Sequence, residues 1–218
     1  MAKKFGVWLL GSIIFLLIVT LSINAFSYLN FNFTYGFLRL KQEAIQTGWY
    51  LPAYYSHIII AGFILLIGFF QLNTKISLRE KWLHRFLGKC YAYGIFLFAA
   101  PGGIIMSFFI NRGTLVLLSF LIQSILWVVF TAYAIKAIKN GDIIIHKKWM
   151  WRSYALTFAA VTLRLYAFAT SWSVDLTHPT AYAIIAWLSW TLNLIFVELY
   201  LRTHKRVDIN ISTAPPNF

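Results

Sequence analysis

The stretch "HKKWMWRSYALTFAAVTLRLY", residues 146–166, opens on a basic edge studded with tryptophan, turns apolar, and then sets Arg164 where hydrocarbon is expected. The reading of this segment as a membrane span rests on the whole chain. Of 218 residues, 60% are hydrophobic and only 11% charged, a balance that no water-soluble domain covers with polar surface. Each span needs roughly 20 apolar residues, and six uncharged or nearly uncharged runs of that size follow one another. The predicted spans are 7–28, 53–73, 88–110, 114–136, 153–172 and 181–201. The expectation is an all-α integral membrane protein, six transmembrane helices in one bundle, with no soluble domain.

The first run follows Lys3 and Lys4 and ends in Ile23-Asn24-Ala25, which imitates a secretory signal. Its apolar part is longer than a signal core, so a retained span is expected. The net charge of +13 would suit nucleic acid, but topology accounts for it better. With the N-terminus cytoplasmic, Lys3, Lys4, Lys75, Arg79, Lys81, Arg85, Lys89, Lys136, Lys139, Lys147, Lys148, Arg152, Arg202, Lys205 and Arg206 all fall on the inner side, against Arg39, Lys41 and Arg112 outside. The positive-inside rule then puts both termini in the cytoplasm, in a multi-pass cytoplasmic-membrane protein. Anionic lipids at the inner face are the expected partners. No basic, aromatic groove is left for nucleic acid.

Cys90 is the only cysteine, which excludes disulfides and cysteine metal sites within one chain; it is expected to be a small packing residue near the inner face. Pro101-Gly102-Gly103 should kink the third span. The long segment between the first two spans should lie along the outer interface and cap the bundle. Trp82, Trp149 and Trp151 mark the inner loops at headgroup level. The tail, 207–218, reads as flexible.

If the fifth helix reaches back to His146, the residues from His146 to Arg164 make five turns and the two side chains share a face. Ser153, Thr157 and Ser171 fall on the same line. An Arg at mid-membrane carries an insertion penalty of about 2.5–3.5 kcal/mol, so this polar stripe should face the bundle interior. Matching stripes run through His57, Ala61, Gly68, Gln71 and Lys75 on the second span, and through His84, Gly88, Tyr91 and Gly102 on the third, with small residues admitting close helix approach. Gln123, Thr191 and Glu198 are further interior positions, and Glu198 should pair with an inner Lys or Arg. By depth, Arg164 and His57 share an outer cluster, His84 and His146 an inner one. No acid lies at Arg164's depth, so its partner must be carbonyl oxygen, a bound anion or water. Two imidazoles on facing helices suit the axial positions of a b-type haem, which makes His84 and His146 the candidate metal ligands. His57, Arg164, Tyr91, Arg85 and Arg152 complete the candidate cofactor-binding set.

Three segments carry a family resemblance: "HIIIAGFILLIGFFQ" (57–71), "LHRFLGKCY" (83–91) and "HKKWMWRSYALTFAAVTLRL" (146–165). In this order they resemble the bacterial predicted membrane proteins grouped as domain of unknown function 2306. Lys89 stands where that family usually has Arg. The resemblance implies a multi-span helical protein with His57, His84, Arg85, His146, Trp149, Arg152 and Arg164 at motif positions, and it implies no activity. The functional expectation is a haem or quinone site serving membrane electron transfer. The alternatives are an accessory or assembly subunit of a membrane complex and a small-anion transporter. Whether the protein is an enzyme is left open; HExxH, Walker and G-x-S-x-G motifs are absent from the sequence.

Overall fold

The computed structural model describes residues 2–72, 80–176 and 178–212, with backbone alone for 2–4, 7 and 204–212. The expected positions of Lys75 and Arg79 and the last part of the tail, 213–218, lie outside the described residues. Among the described residues the chain is helical and contains no strand. The long elements are α1 (Ala2–Phe26), α3 (Tyr50–Gln71), α4 (Lys81–Gly94), α6 (Thr114–Lys139), α7 (Ile143–Thr170) and α8 (Pro179–Ser212). Short helices α2 (Gln42–Gln46) and α5 (Ala100–Ser107) complete the set, and 3-10 turns cover Ser27–Asn30 and Gly36–Lys41.

Five helical stretches are long and apolar enough to cross a membrane: Trp8–Asn30, Tyr50–Gln71, Lys81–Ser107, Thr114–Lys139 and Pro179–Thr203. Helix α7 is the exception. At 28 residues it is about 42 Å long, which exceeds a bilayer core. Its basic first turns, its hydroxyl residues and Arg164 keep it off the apolar list. It packs against α6 and α8 along its length and touches α3 and α1. A helix sheathed by apolar neighbours can afford polar residues that a lipid-facing one cannot.

Two turns set the register of α6, α7 and α8. Gly141 takes φ +80°, a left-handed conformation that suits glycine, and closes the tight connection from α6 to α7. The next residue, Asp142, caps α7 by accepting from the Ile145 N–H at 2.8 Å. Gly113, at φ +90°, opens α6 beside Pro179, where α8 begins.

The third span is one helix interrupted by a π turn, Ile95–Ala99. The disturbance expected at Pro101 therefore falls one turn earlier. Proline has no N–H to return to the preceding turn, so carbonyl groups there lose their intrahelical donor. The carbonyl that Pro101 leaves without its i+4 donor is that of Leu97, and the two carbonyls after it in the disturbed turn take side chains of α3: Ser56 Oγ donates to the Phe98 carbonyl at 2.9 Å, and His57 Nδ1 bonds the Ala99 carbonyl at 2.6 Å.

The two ends of the bundle differ. One, the basic end, carries Lys136, Lys139, Lys147, Lys148 and Arg152. The opposite, capped end is closed by the segment between α1 and α3, where Tyr28, Leu38, Tyr50 and Tyr54 form an aromatic cluster. There Lys41 donates to the Phe109 carbonyl at 2.7 Å. Burial, then the nearby Arg112, lowers the Lys41 pKa. At the basic end Arg152 grips Glu198 through Nε at 2.5 Å and Nη2 at 3.0 Å, the inner pairing the sequence predicts for that acid. Both partners keep contact with the surroundings, so Glu198→Gln should lower stability by less than about 1 kcal/mol in a denaturant titration in mild detergent.

Two packing expectations are corrected. Cys90 is exposed, because it lies on the outward stripe of α4 with Trp82 and Phe86, which stack at 5.6 Å. Gly88 admits no close approach; no neighbouring atom stands within 4 Å of where its Cβ would sit. The other two glycines of the stripes, Gly68 and Gly102, do admit close approach, as do Gly62, Gly94 and Gly103. Ser171 also leaves the stripe, lying just past the end of α7 and exposed.

Candidate functional site

The polar line predicted on α7 exists, and its middle is filled by hydroxyl groups. Tyr91 Oη lies 2.9 Å from Ser153 Oγ and 2.8 Å from Thr157 Oγ1. Thr131 Oγ1 lies 2.8 Å from Ser153 Oγ and 2.7 Å from the Trp127 carbonyl, while Trp127 Nε1 donates to Thr157 Oγ1 at 3.0 Å. All five residues are buried. Tyr91, a sequence candidate, is thus committed to this network, and Thr131 and Trp127 were not foreseen. Their only signal was the spacing of four, which lets a threonine hydroxyl bond the carbonyl one turn back.

Arg164 stands seven residues beyond Thr157, two helical turns, and so shares the face by which Thr157 meets Tyr91 and Trp127. It nevertheless is exposed. Tyr28, Tyr54, His57 and Tyr182, from three other parts of the fold, all lie within its electrostatic range. Arg164 is thus open on one side and has these residues on the other, at the capped end. The guanidinium turns back along α7, donating to the Ala160 carbonyl at 2.9 Å, and does not stretch toward a headgroup beyond the helix end. An arginine has five N–H donors. Among the described residues this carbonyl is the hydrogen-bond partner the structure gives it, whereas Arg152 has the carboxylate of Glu198.

His57 is held from the other side. Because a carbonyl accepts, Nδ1 of the neutral ring is the protonated nitrogen, which leaves Nε2 with a lone pair and no partner among the described residues. Glycine makes this seat: a Cβ on Gly103 would stand 3.0 Å from His57 Nδ1, and one on Gly102 would stand 3.0 Å from its backbone N. One turn before His57, Tyr54 is 1% exposed and its hydroxyl has the Tyr28 hydroxyl near it but makes no hydrogen bond of ordinary length, and neither does the buried hydroxyl of Tyr55. Unsatisfied buried hydroxyls are rare and ask for an explanation. The signal for these tyrosines lay in "YLPAYYSH", where Tyr54 precedes His57 by one turn.

The remaining candidates gather at the basic end. His146 Nδ1 bonds the Ala134 carbonyl at 2.9 Å, which fixes its ring and leaves Nε2 open. His146 and Lys147 lie within electrostatic range of His84. Gln71 Nε2 donates to the His84 carbonyl at 3.0 Å and ties α3 to the start of α4. Arg152 is occupied by Glu198 and by the face of Trp149, 4.6 Å away. Arg85 is exposed. Among the described residues no group of three or more His, Cys, Asp or Glu could hold a metal ion. The structure therefore divides the predicted residues into a capped-end group (Arg164, His57), a central network (Tyr91) and a basic-end group (His84, His146, Arg85, Arg152).

A bundle of long apolar helices enclosing one polar helix defines a polytopic helical membrane protein. The chain belongs to the family described as predicted membrane protein (DUF2306), whose model matches residues 54–201. That interval holds every residue of the three groups. Comparison with curated proteins and with solved structures returned no match.

Proposed function

We propose that the protein crosses the membrane six times, with α7 as the enclosed span and the basic end cytoplasmic, and that its capped-end crevice binds the head of a lipophilic quinone for membrane electron transfer. One observation carries this reading: a permanently charged guanidinium, an imidazole with a free Nε2 and the Tyr54 hydroxyl, which makes no hydrogen bond of ordinary length, converge where no acid balances them. A quinone offers carbonyl oxygens to Arg164 and Tyr54. Its reduced form offers an O–H to His57 Nε2. A fully ionised small anion has no use for that lone pair, which favours the quinone over anion transport. The side opening suits a ligand that arrives from the bilayer.

Short-chain ubiquinone and menaquinone analogues titrated into the purified full chain test the reading. Saturable quenching of tryptophan fluorescence is expected, together with quinone in the organic extract of protein purified from native-like membranes. Titrations without saturation, and an extract free of quinone, would overturn it.

A second reading concerns haem at the basic end. An imidazole whose Nδ1–H is bonded to a carbonyl, as in His146, is oriented as axial ligands are, and His84 stands near it. Bis-histidine haem would supply one-electron chemistry there, with Arg85 and Lys147 near its carboxylates. A Soret band after haem-replete expression, lost in His146→Ala, is the expected result under this reading. Colourless protein from such cells rejects it without touching the quinone site.

A further inference from the structure

The geometry points to a proton wire through the middle of the bundle, built from Thr131, Ser153, Tyr91 and Thr157. The four hydroxyls form one chain in that order, with links of 2.8, 2.9 and 2.8 Å. In every one of these links either oxygen can be the donor. Each end of the chain also has a backbone carbonyl to accept a hydrogen bond: the Trp127 carbonyl lies 2.7 Å from Thr131 Oγ1, and the Ser153 carbonyl 3.2 Å from Thr157 Oγ1.

Each hydroxyl owns one proton, so the chain has two complete orders. In the first, Thr157 donates to Tyr91, Tyr91 to Ser153, Ser153 to Thr131, and Thr131 to the Trp127 carbonyl. In the second, Thr131 donates to Ser153, Ser153 to Tyr91, Tyr91 to Thr157, and Thr157 to the Ser153 carbonyl. Trp127 Nε1 donates to Thr157 in both and biases neither. A purely structural network needs one order; proton transfer along a chain requires two, and here both leave every hydroxyl with an acceptor, at 2.7 Å in the first order and 3.2 Å in the second.

The ends of the chain point at the two histidine groups. Ala134, whose carbonyl holds His146, is one turn past Thr131, a rise of about 4.5 Å. Ala160, whose carbonyl holds Arg164, is one turn past Thr157 in the other direction, again a rise of about 4.5 Å. One hydrogen-bonded water spans such a step. One such water in each of the two steps, as the wire requires, would complete a polar column from His146 to Arg164 and His57.

Starting from the second order, a proton delivered to Thr131 Oγ1 moves Thr131's own proton to Ser153, Ser153's to Tyr91 and Tyr91's to Thr157. Thr157 turns its own proton away from the Ser153 carbonyl and releases it to the water of the capped-end step. One proton enters, one leaves, no electron moves, and the chain is left in the first order until its hydroxyls rotate back. Delivery of that proton to a reduced quinone oxygen or to His57 Nε2 rests on the reading of the crevice given above. Conduction itself does not.

The test uses the full chain in liposomes that enclose a pH-sensitive dye, with a potassium gradient and valinomycin to drive protons. Wild-type protein should pass protons at least tenfold faster than protein-free liposomes. Thr131→Val, which keeps the shape and deletes the hydroxyl, should fall to within twofold of the protein-free rate, as should Tyr91→Phe. Thr131→Ser should restore most of the flux, which separates a lost wire from a lost fold. Wild-type flux equal to that of empty liposomes, or undiminished flux in Thr131→Val, overturns the wire. Quinone titration of Thr131→Val separates the two readings. Intact flux in a protein that binds no quinone sinks only the quinone, and intact binding with no flux sinks only the wire.

Discussion

Arg164→Ala weakens binding of a short-chain quinone by roughly 10- to 100-fold while leaving the fold in place. The size follows from the loss of charge-assisted hydrogen bonds, each worth about 1.5–3 kcal/mol, at about 1.4 kcal/mol per factor of ten. The fold survives because the guanidinium bonds only the Ala160 carbonyl of its own helix, among the described residues, and anchors no other element. Arg164→Lys should recover part of the affinity, since an ammonium keeps the charge but not the planar fork. The measurement is a binding isotherm for each variant beside its helical circular dichroism. An isotherm for Arg164→Ala that superimposes on wild type would remove Arg164 from the site, and with it the main support for the crevice as a binding place.

Gly102→Ala has its expected effect on folding, because nothing near it can yield. The new methyl would stand 2.5 Å from the Ala53 carbonyl oxygen and 3.0 Å from both Cβ and N of His57. Two of those atoms are backbone of α3, so α3 and α5 must separate, at about 3 kcal/mol for overpacking of this kind. The separation also pulls His57 from the Ala99 carbonyl at the π turn. Gly88→Ala provides the contrast: its site is open, and replacing a helical glycine by alanine there stabilises by up to about 1 kcal/mol. Thermal unfolding of the two variants in one detergent should move in opposite directions. Equal midpoints would mean that helices α3 and α5 are not in the close contact described.

Much of the architecture was legible in one dimension. Apolar runs long enough to span a bilayer give helices near their predicted places, because in hydrocarbon a backbone has few other ways to satisfy its hydrogen bonds. The periodicity on α7 put Ser153, Thr157 and Arg164 on one face, and that relation survives because helix geometry is local. Pairing of Glu198 with a basic-end arginine was also readable, since depth along a span is counted in residues. The π turn was not. Its position depends on which α3 side chains, Ser56 and His57, arrive to satisfy the carbonyls before Pro101. Cys90 and Gly88 were misread for a related reason: a residue's size says what it permits, while the neighbouring helix decides whether anything comes close.

By itself, then, the sequence determined the class of the protein, the run of its helices and the face on which α7 carries its polar groups, because composition and 3.6-residue periodicity act within one segment. Only the tertiary structure decided that this face meets Tyr91, Trp127 and Thr131 in one hydrogen-bonded network, and that Arg164 comes within electrostatic range of His57 and Tyr54. Those contacts join residues far apart in the chain. Their existence depends on the packing of α3, α4 and α6 around α7, and a three-dimensional arrangement of that kind leaves no periodic trace in any one helix.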